Sequence, residues 1–358
     1  MTQVDFISKE GAQGQVANHL LAQGLNVGAM RPFISEDGRA FISVYVKGDP
    51  TKVDSYKVIA VNTATLRRDE WKQLDEAVQT VSRERVTGIQ SLRERGLVKT
   101  LTNGMGTTVF EYHEMTDSLE AAISMDGVNR GKNDRPGFTP KYIPLPIIHV
   151  DYQINARVLA ASRNMGNALD TSQAEQAARR VIEKLEDLLF TDTTYSFGGG
   201  VIYSYLSHPD RNPQTLSVNW DADAKTGKDI VDEVLAMKQK AIADRHYGPF
   251  ELYVPTGYDT VLDKDYRDDA RTYSYTIRER ILKIDGIEKI KVIDRMPANN
   301  VVLVQMTSDT VRLVDAMAIQ NVQWGSEGNM TTNFKVMTIQ VPQVRSDAAG
   351  RCGIVHLA

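Results

Sequence analysis

Apolar residues recur most regularly between Thr171 and Phe190. Ala174, Ala177, Ala178, Val181, Ile182, Leu185, Leu188 and Leu189 recur at spacings of three and four, which puts one apolar stripe along a single helix face. Ser172 with Glu175 three residues on matches capping-box spacing, and the run Gly198, Gly199, Gly200 supplies a stop. A helix of about five turns is therefore predicted over 171–190. Glu175, Arg179, Glu183, Lys184, Glu186 and Asp187 fall opposite the stripe, where they read as a solvated face. A second, more polar helix is predicted from Arg67 to Arg95, with Trp71, Leu74, Val78 and Val81 at heptad-like spacing and Ile89 and Leu92 after Gly88. Two further helices are predicted over Lys228–Ala243 and around Thr276–Leu282.

Between the helices the period shortens. Ala40–Lys47 and Ser55–Val61 read as strands split by Gly48-Asp49-Pro50, within an ordered lead-in over residues 1–65. Thr108–Tyr112, Leu119–Ser124, Phe250–Val254, Ile290–Ile293 and Val301–Met306 are strand-like. Val311–Ala316, Val322–Trp324 and Phe334–Val341 alternate as antiparallel strands do. The stretch GVNRGKNDRPGFTPKYIPLP cannot be helical, because glycine and proline punctuate it throughout. Loops of that length in a compact domain either bind something or are disordered linkers, and Phe138, Tyr142, Ile143 and Ile147 offer apolar side chains for a surface. The pattern predicts an α+β fold in which residues 216–300 form one domain and the flanking elements another.

Composition narrows the function. A net charge of −4 with both signs spread along the chain gives no sign of a nucleic-acid reader that works by counterion release. Cys352 stands alone, so no disulfide forms within the chain. The first residues carry no basic segment followed by an apolar one, and no stretch reaches membrane-spanning length, so a soluble, unexported protein is expected. Candidate chemistry is sparse. Thr226-Gly227-Lys228-Asp229 lacks the flanking residues of a phosphate-binding loop. Asp221-Ala-Asp223 begins like a calcium loop, yet Lys225 and Thr226 take the next ligand and glycine positions. His113 with Glu111 and Glu114 hints at a metal, at no recognised ligand spacing. Catalytic, cofactor and metal residues are accordingly assigned to none.

The order of these pieces resembles a known family. Leu66–Val78 (LRRDEWKQLDEAV) is similar to an amphipathic arm helix; Pro144-Leu145-Pro146-Ile147-Ile148 to the segment that returns an extended loop to the body; Glu186-Asp187-Leu188-Leu189-Phe190 to the close of a long spine helix; and Gly248–Pro255 with Val301–Val304 to central strands of an axial domain. Together they resemble the Hong-Kong-97-type major capsid fold of tailed phages, in the branch that includes encapsulin shells. That resemblance implies an N-terminal extension (1–65), an arm (66–106), an extended loop (107–148), a peripheral domain (149–215 and 301–358) and an axial domain (216–300). It also implies many copies joined as pentamers and hexamers around double-stranded DNA, with portal, scaffold or decoration proteins as further partners, in a virion assembled in a bacterial cytoplasm.

Intersubunit contacts are expected at Trp71, Leu74, Val78, Arg130, Lys132, Arg135, Phe138, Lys141 and Tyr142, and the spine core at Val181, Ile182, Leu185, Leu188 and Leu189. The sequence departs from encapsulins where Ser162-Arg163-Asn164-Met165-Gly166 replaces a charged Glu-Arg-Gly element, so neither a cargo dock nor a flavin site is carried over. No crosslinking partner is assigned to Lys132 or Lys141. Two alternatives stand beside the virion: an encapsulin-like shell holding protein cargo, and an unrelated α+β enzyme.

Overall fold

The computed structural model describes residues 31–35, 38–46, 56–60, 66–84, 87–102, 104–115, 125, 137–165, 171–268, 271–327 and 330–358. The lead-in forms a small sheet of β1 (Phe33–Ile34), β2 (Ala40–Tyr45) and β3 (Tyr56–Ala60), joined by β4 (Leu66–Arg67) in the order β3-β2-β1-β4. It is fastened to the body. Buried Arg31 donates to both carboxylate oxygens of Asp75 at 2.6 and 2.8 Å, and its Nε donates to the carbonyl of Asn321 at 3.0 Å. A bidentate pair of this kind, once desolvated, holds its two segments in one geometry.

The polar helix is divided into α1 (Arg68–Glu84) and α2 (Thr87–Glu94). Next come β5 (Val98–Thr100), then β6 (Val109–Met115) and β7 (Phe138–Pro144), which pair as an antiparallel ribbon, then β8 (Ile148–Asn155), α3 (Ala156–Met165) and the spine α4 (Ser172–Phe190). The predicted strand over 119–124 lies outside the described residues.

The spine's stripe is buried as expected: Val181, Ile182, Leu185, Leu188 and Leu189 all lie in one core. Its ends differ from the expectation. Thr171, not Ser172, precedes the first turn, and its hydroxyl bonds the Glu175 carboxylate at 2.7 Å instead of capping a backbone N–H. The glycines do not stop the helix, which ends at Phe190. Gly198 and Gly199, at φ 59° and 79°, make the two-residue turn between β9 (Tyr195–Phe197) and β10 (Gly200–Ile202); two consecutive left-handed residues match the right-handed twist of a tight hairpin. Glu186, expected in solvent, is buried and accepts hydrogen bonds from Gly88 N at 2.8 Å and Ile89 N at 3.4 Å. The carboxylate thus satisfies donors that the start of α2 leaves unpaired. A Cβ at Gly88 would lie 2.4 Å from the Phe190 ring, so only glycine permits α2 to approach the spine this closely.

The second half of the chain adds β11 (Asn212–Gln214), α5 (Gly227–Ala243), β12 (Phe250–Pro255), α6 (Asp259–Leu262), β13 (Asp265–Asp268), β14 (Arg271–Thr276), α7 (Ile277–Leu282) and β15 (Ile287–Ile293). It continues through β16 (Val301–Gln305), β17 (Val311–Glu327) and β18 (Thr331–Val344) to β19 (Ile354–Leu357). Thr226 and Asp229, from the phosphate-loop-like stretch, form a reciprocal capping box at the start of α5. Lys225, at a calcium-ligand position, pairs with Glu233 instead.

Two sheets carry the structure. One, ordered β5-β17-β18-β8, lies under α1 and α4. The other, ordered β11-β19-β16-β12-β15, lies under α5 and α7. The second sheet departs from the expected division, because β16 of the 301–358 segment pairs with β12 and β19 of the same segment pairs with β16, both inside the sheet. Alternation explains this. Tyr253, Val302, Val304 and Ile354 face the spine core, whereas Leu252, Val254, Val301, Leu303 and Val355 face the core beneath α5. Strands buried on both faces serve two cores at once. A polar junction flanks them: Arg95 binds Glu251 at 2.8 Å and Glu288 at 2.7 Å, Tyr253 Oη donates to Glu251 at 2.8 Å, and Lys291 Nζ donates to Ser91 Oγ at 2.6 Å.

Candidate assembly interface

The ribbon of β6 and β7 is two-faced. Its register pairs Glu111 with Tyr142 and His113 with Pro140 on the face that also carries Phe138, and Phe110 with Ile143, Tyr112 with Lys141 and Glu114 with Thr139 on the other. The second face lies against the body along the described ribbon. Ile143 near its root and Glu114 near its far end are buried, and a crevice of about 220 Å³ separates ribbon from body, with Tyr112, Lys141, Tyr203, His208 and Ser346 on its walls. Burial drives the Tyr112 phenol up to about 12 and the His208 imidazole down to about 4, so at neutral pH both are uncharged. Gly200 permits the β9–β10 hairpin to buttress the ribbon, since a Cβ there would lie 2.6 Å from the Tyr142 carbonyl oxygen.

The first face is open. Phe138 is 63% exposed and stands edge-on to His113 at 6.4 Å, and Tyr142 and Ile147 are exposed as well. The sequence reading missed neighbouring aromatics. Tyr195 and Phe197, at i and i+2 on β9 and therefore on one face, are also exposed, on a strand that contacts β7. The alternation in Tyr195-Ser196-Phe197 before a glycine turn was the available signal. Four exposed aromatics on adjoining elements exceed what scattered surface apolars require.

The expected contacts fare unequally. Phe138 and Tyr142 lie on the open face. Lys141 is half exposed but lies on the other face, with its Nζ 3.6 Å from buried Glu114, so part of its charge is already answered within the chain. Arg130, Lys132 and Arg135 lie outside the described residues. Trp71, Leu74 and Val78 are a correction: all three are buried within their own chain. Their stripe packs against the spine. Trp71 Nε1 donates to the Pro32 carbonyl at 3.0 Å, and its ring meets Phe334 edge-on at 5.8 Å, leaving nothing of that helix face for a neighbour. The metal hint at His113 also dissolves, because alternation sends Glu114 to the opposite ribbon face. Among the described residues no group of three potential ligands could hold a metal, and no helix is long and apolar enough to cross a membrane.

Comparisons with known proteins agree on the fold. Over 225 residues the chain is 24% identical to the type 1 encapsulin shell protein EncA of Myxococcus xanthus, spanning 62% of this chain and 71% of that protein. Among solved structures, a virus-like particle from Pyrococcus furiosus is similar at TM-score 0.57 and 19% identity, over 80% of this chain and 99% of its own. The capsid of Myoviridae phage XM1 is similar at TM-score 0.57 and 10% identity, over 75% and 91%. The capsid of a native GTA particle is similar at TM-score 0.54 and 14% identity, over 76% and 92%. The chain therefore has the Hong-Kong-97-type capsid fold that its element order resembles. Residues 60–357 match a family of unknown function, DUF6260, and the chain belongs to that family.

Proposed function

We propose that this chain is a structural shell protein, the major capsid protein of a tailed phage or prophage, whose copies join as pentamers and hexamers around double-stranded DNA. The observation that carries this reading is the ribbon: an aromatic face exposed on two paired strands whose other face lies against the body, within a capsid fold. A patch of that kind is completed by another molecule. Head-to-tail contacts between identical subunits close into rings, and many modest contacts made at once resist dissociation. The relatives named as capsids support the virion; the encapsulin shell protein and the virus-like particle support a second reading, a compartment around protein cargo. In this proposal the loop over 107–148 reaches the next subunit, the small N-terminal sheet braces the arm within its own subunit, and portal, scaffold or decoration proteins act at the shell.

Purified protein should form closed shells in electron micrographs and sediment far above a monomer. Nuclease-resistant DNA inside identifies the virion; a co-purifying protein without DNA identifies the compartment. A protein that stays monomeric under every assembly condition defeats both readings. Phe138→Glu combined with Tyr142→Glu should abolish shells while leaving the subunit's melting temperature within a few degrees, because both side chains are exposed. Normal shells from that variant would remove the ribbon from the interface.

A further inference from the structure

Four polar side chains meet where the ribbon root crosses the ends of β17 and β18, and they are nearly all donors. Arg312 and Gln343 are directly paired in the β17–β18 register, and Arg312 Nε donates to Gln343 Oε1 at 2.7 Å. Arg345, two residues beyond Gln343, donates from Nη1 to the Ser308 carbonyl at 3.3 Å. Tyr112 comes down from the ribbon beside Gln343 and lies in the field of both arginines.

No carboxylate answers either guanidinium among the described residues, whereas Arg95, Arg163 and Arg295 each have one. One donor atom at this place, Arg345 Nε, is moreover closed to solvent without a partner among the described residues, and Gln343, only 1% exposed, has the Tyr112 hydroxyl as its neighbour. Burial, and then the nearby Arg345 charge, holds Arg312 below the usual arginine range. Like charges placed close together, partly desolvated and with a donor unspent, destabilise the isolated chain. Such an arrangement becomes favourable when an oxyanion arrives, since planar guanidiniums present paired N–H groups to two oxygens.

We infer that Arg312, Arg345 and Gln343 form a socket for a carboxylate side chain presented by a second copy of this chain. The inference rests on the shell reading above and adds an ionic contact at the ribbon root to the aromatic contact along its open face. The same chain supplies the ligand class in excess, with 46 acidic against 42 basic residues. Two guanidiniums make a point site, whereas a nucleic-acid track needs a row of cations.

The test uses the full chain with Arg312→Gln, Arg345→Gln and the double variant. The isolated subunits should melt no lower than wild type, and the double variant higher, because an unanswered repulsion is removed. Their assembled fraction at moderate salt should fall by about tenfold or more, the scale of a desolvated charge contact repeated around a closed shell. A reconstruction of the wild-type shell should place a carboxylate of the adjoining chain within ion-pair distance of both guanidiniums.

Wild-type shells joined by a variant that assembles equally well overturn the inference while leaving the shell reading intact. A wild type that never assembles removes both. If inorganic phosphate raises the wild-type subunit's melting temperature and not the double variant's, and variant shells persist, the socket takes a free oxyanion and the second-copy assignment fails. Normal variant shells that have lost packaged nucleic acid would assign the socket to a phosphodiester, which also overturns it.

Discussion

The two sheets bury their strands with opposite chemistry. In the sheet beneath α5, β12 and β16 are buried along their whole length, and of their side chains only Glu251 and Gln305 are strongly polar; Glu251 is paired by Arg95 and Tyr253, and Gln305 by His246. In the sheet beneath the spine, β17 and β18 bury Gln320, Asn321, Thr332, Asn333, Thr338, Gln340 and Gln343. Several of these keep an atom with no partner among the described residues, including Gln320 Oε1, Asn321 Oδ1 and Asn333 Oδ1. Register shifts between Asp315 and Met317 and between Met317 and Gln320 accompany them. A sheet whose few buried polar groups are paired is specified by its own subunit. A sheet with bulges and unspent amides is less tightly determined, since buried unpaired polar atoms offset part of what apolar burial contributes.

Substitutions that separate the two regions differ widely in expected effect. The largest is Trp71→Ala, which empties the contact between arm, spine and β18 and should cost about 3–5 kcal/mol of subunit stability in chemical denaturation. An interface residue would leave the isolated subunit unchanged, so an unaltered midpoint would restore the contact role first expected of Trp71. Glu186→Gln comes next. Burial holds the Glu186 carboxyl at about 7, above its ordinary 4.5. The folded state therefore binds a proton that the unfolded state has released, and stability is highest below pH 4.5 and falls as pH rises to 7. Glutamine keeps an oxygen for Gly88 N and carries no charge, so the variant should exceed wild type by roughly 1–3 kcal/mol above pH 7 and show a flatter profile between pH 4.5 and 7. A wild-type profile that rises over this window would exclude the protonated acid. The smallest effect is Gln320→Met in the polar sheet, expected within about 1 kcal/mol of wild type because one amide atom is already unpaired. Leu303→Ala in the sheet beneath α5 should cost about 2–5 kcal/mol, and near-equal losses for the two would erase the contrast.

Much of the fold was legible in the sequence because periodicity reports which face is buried. The stripe from Ala174 to Leu189, the alternation of Val311–Ala316 and Phe334–Val341, and the apolar runs Phe250–Val254 and Val301–Met306 all became the elements their patterns predict. Periodicity does not say what covers a face. Trp71, Leu74 and Val78 read equally well as a stripe for a neighbour or for the spine, and the spine covers them. Phe138 and Tyr142 looked alike in the loop, and the ribbon register set both outward while Ile143 turned in.

The sequence by itself determined the α+β class, the spine and its apolar face, and the proline- and glycine-marked excursion, since each rests on local spacing and backbone restriction. Only the tertiary structure decided that Glu186 is buried, that β16 and β19 serve the second sheet, and that Arg312 and Arg345 have no counter-charge among the described residues. Those outcomes depend on which distant segments come together: Gly88 and Glu186 are 98 positions apart, and Arg312 and Gln343 are 31. The energy of a buried charge is set by such neighbours, which no local pattern along the chain encodes.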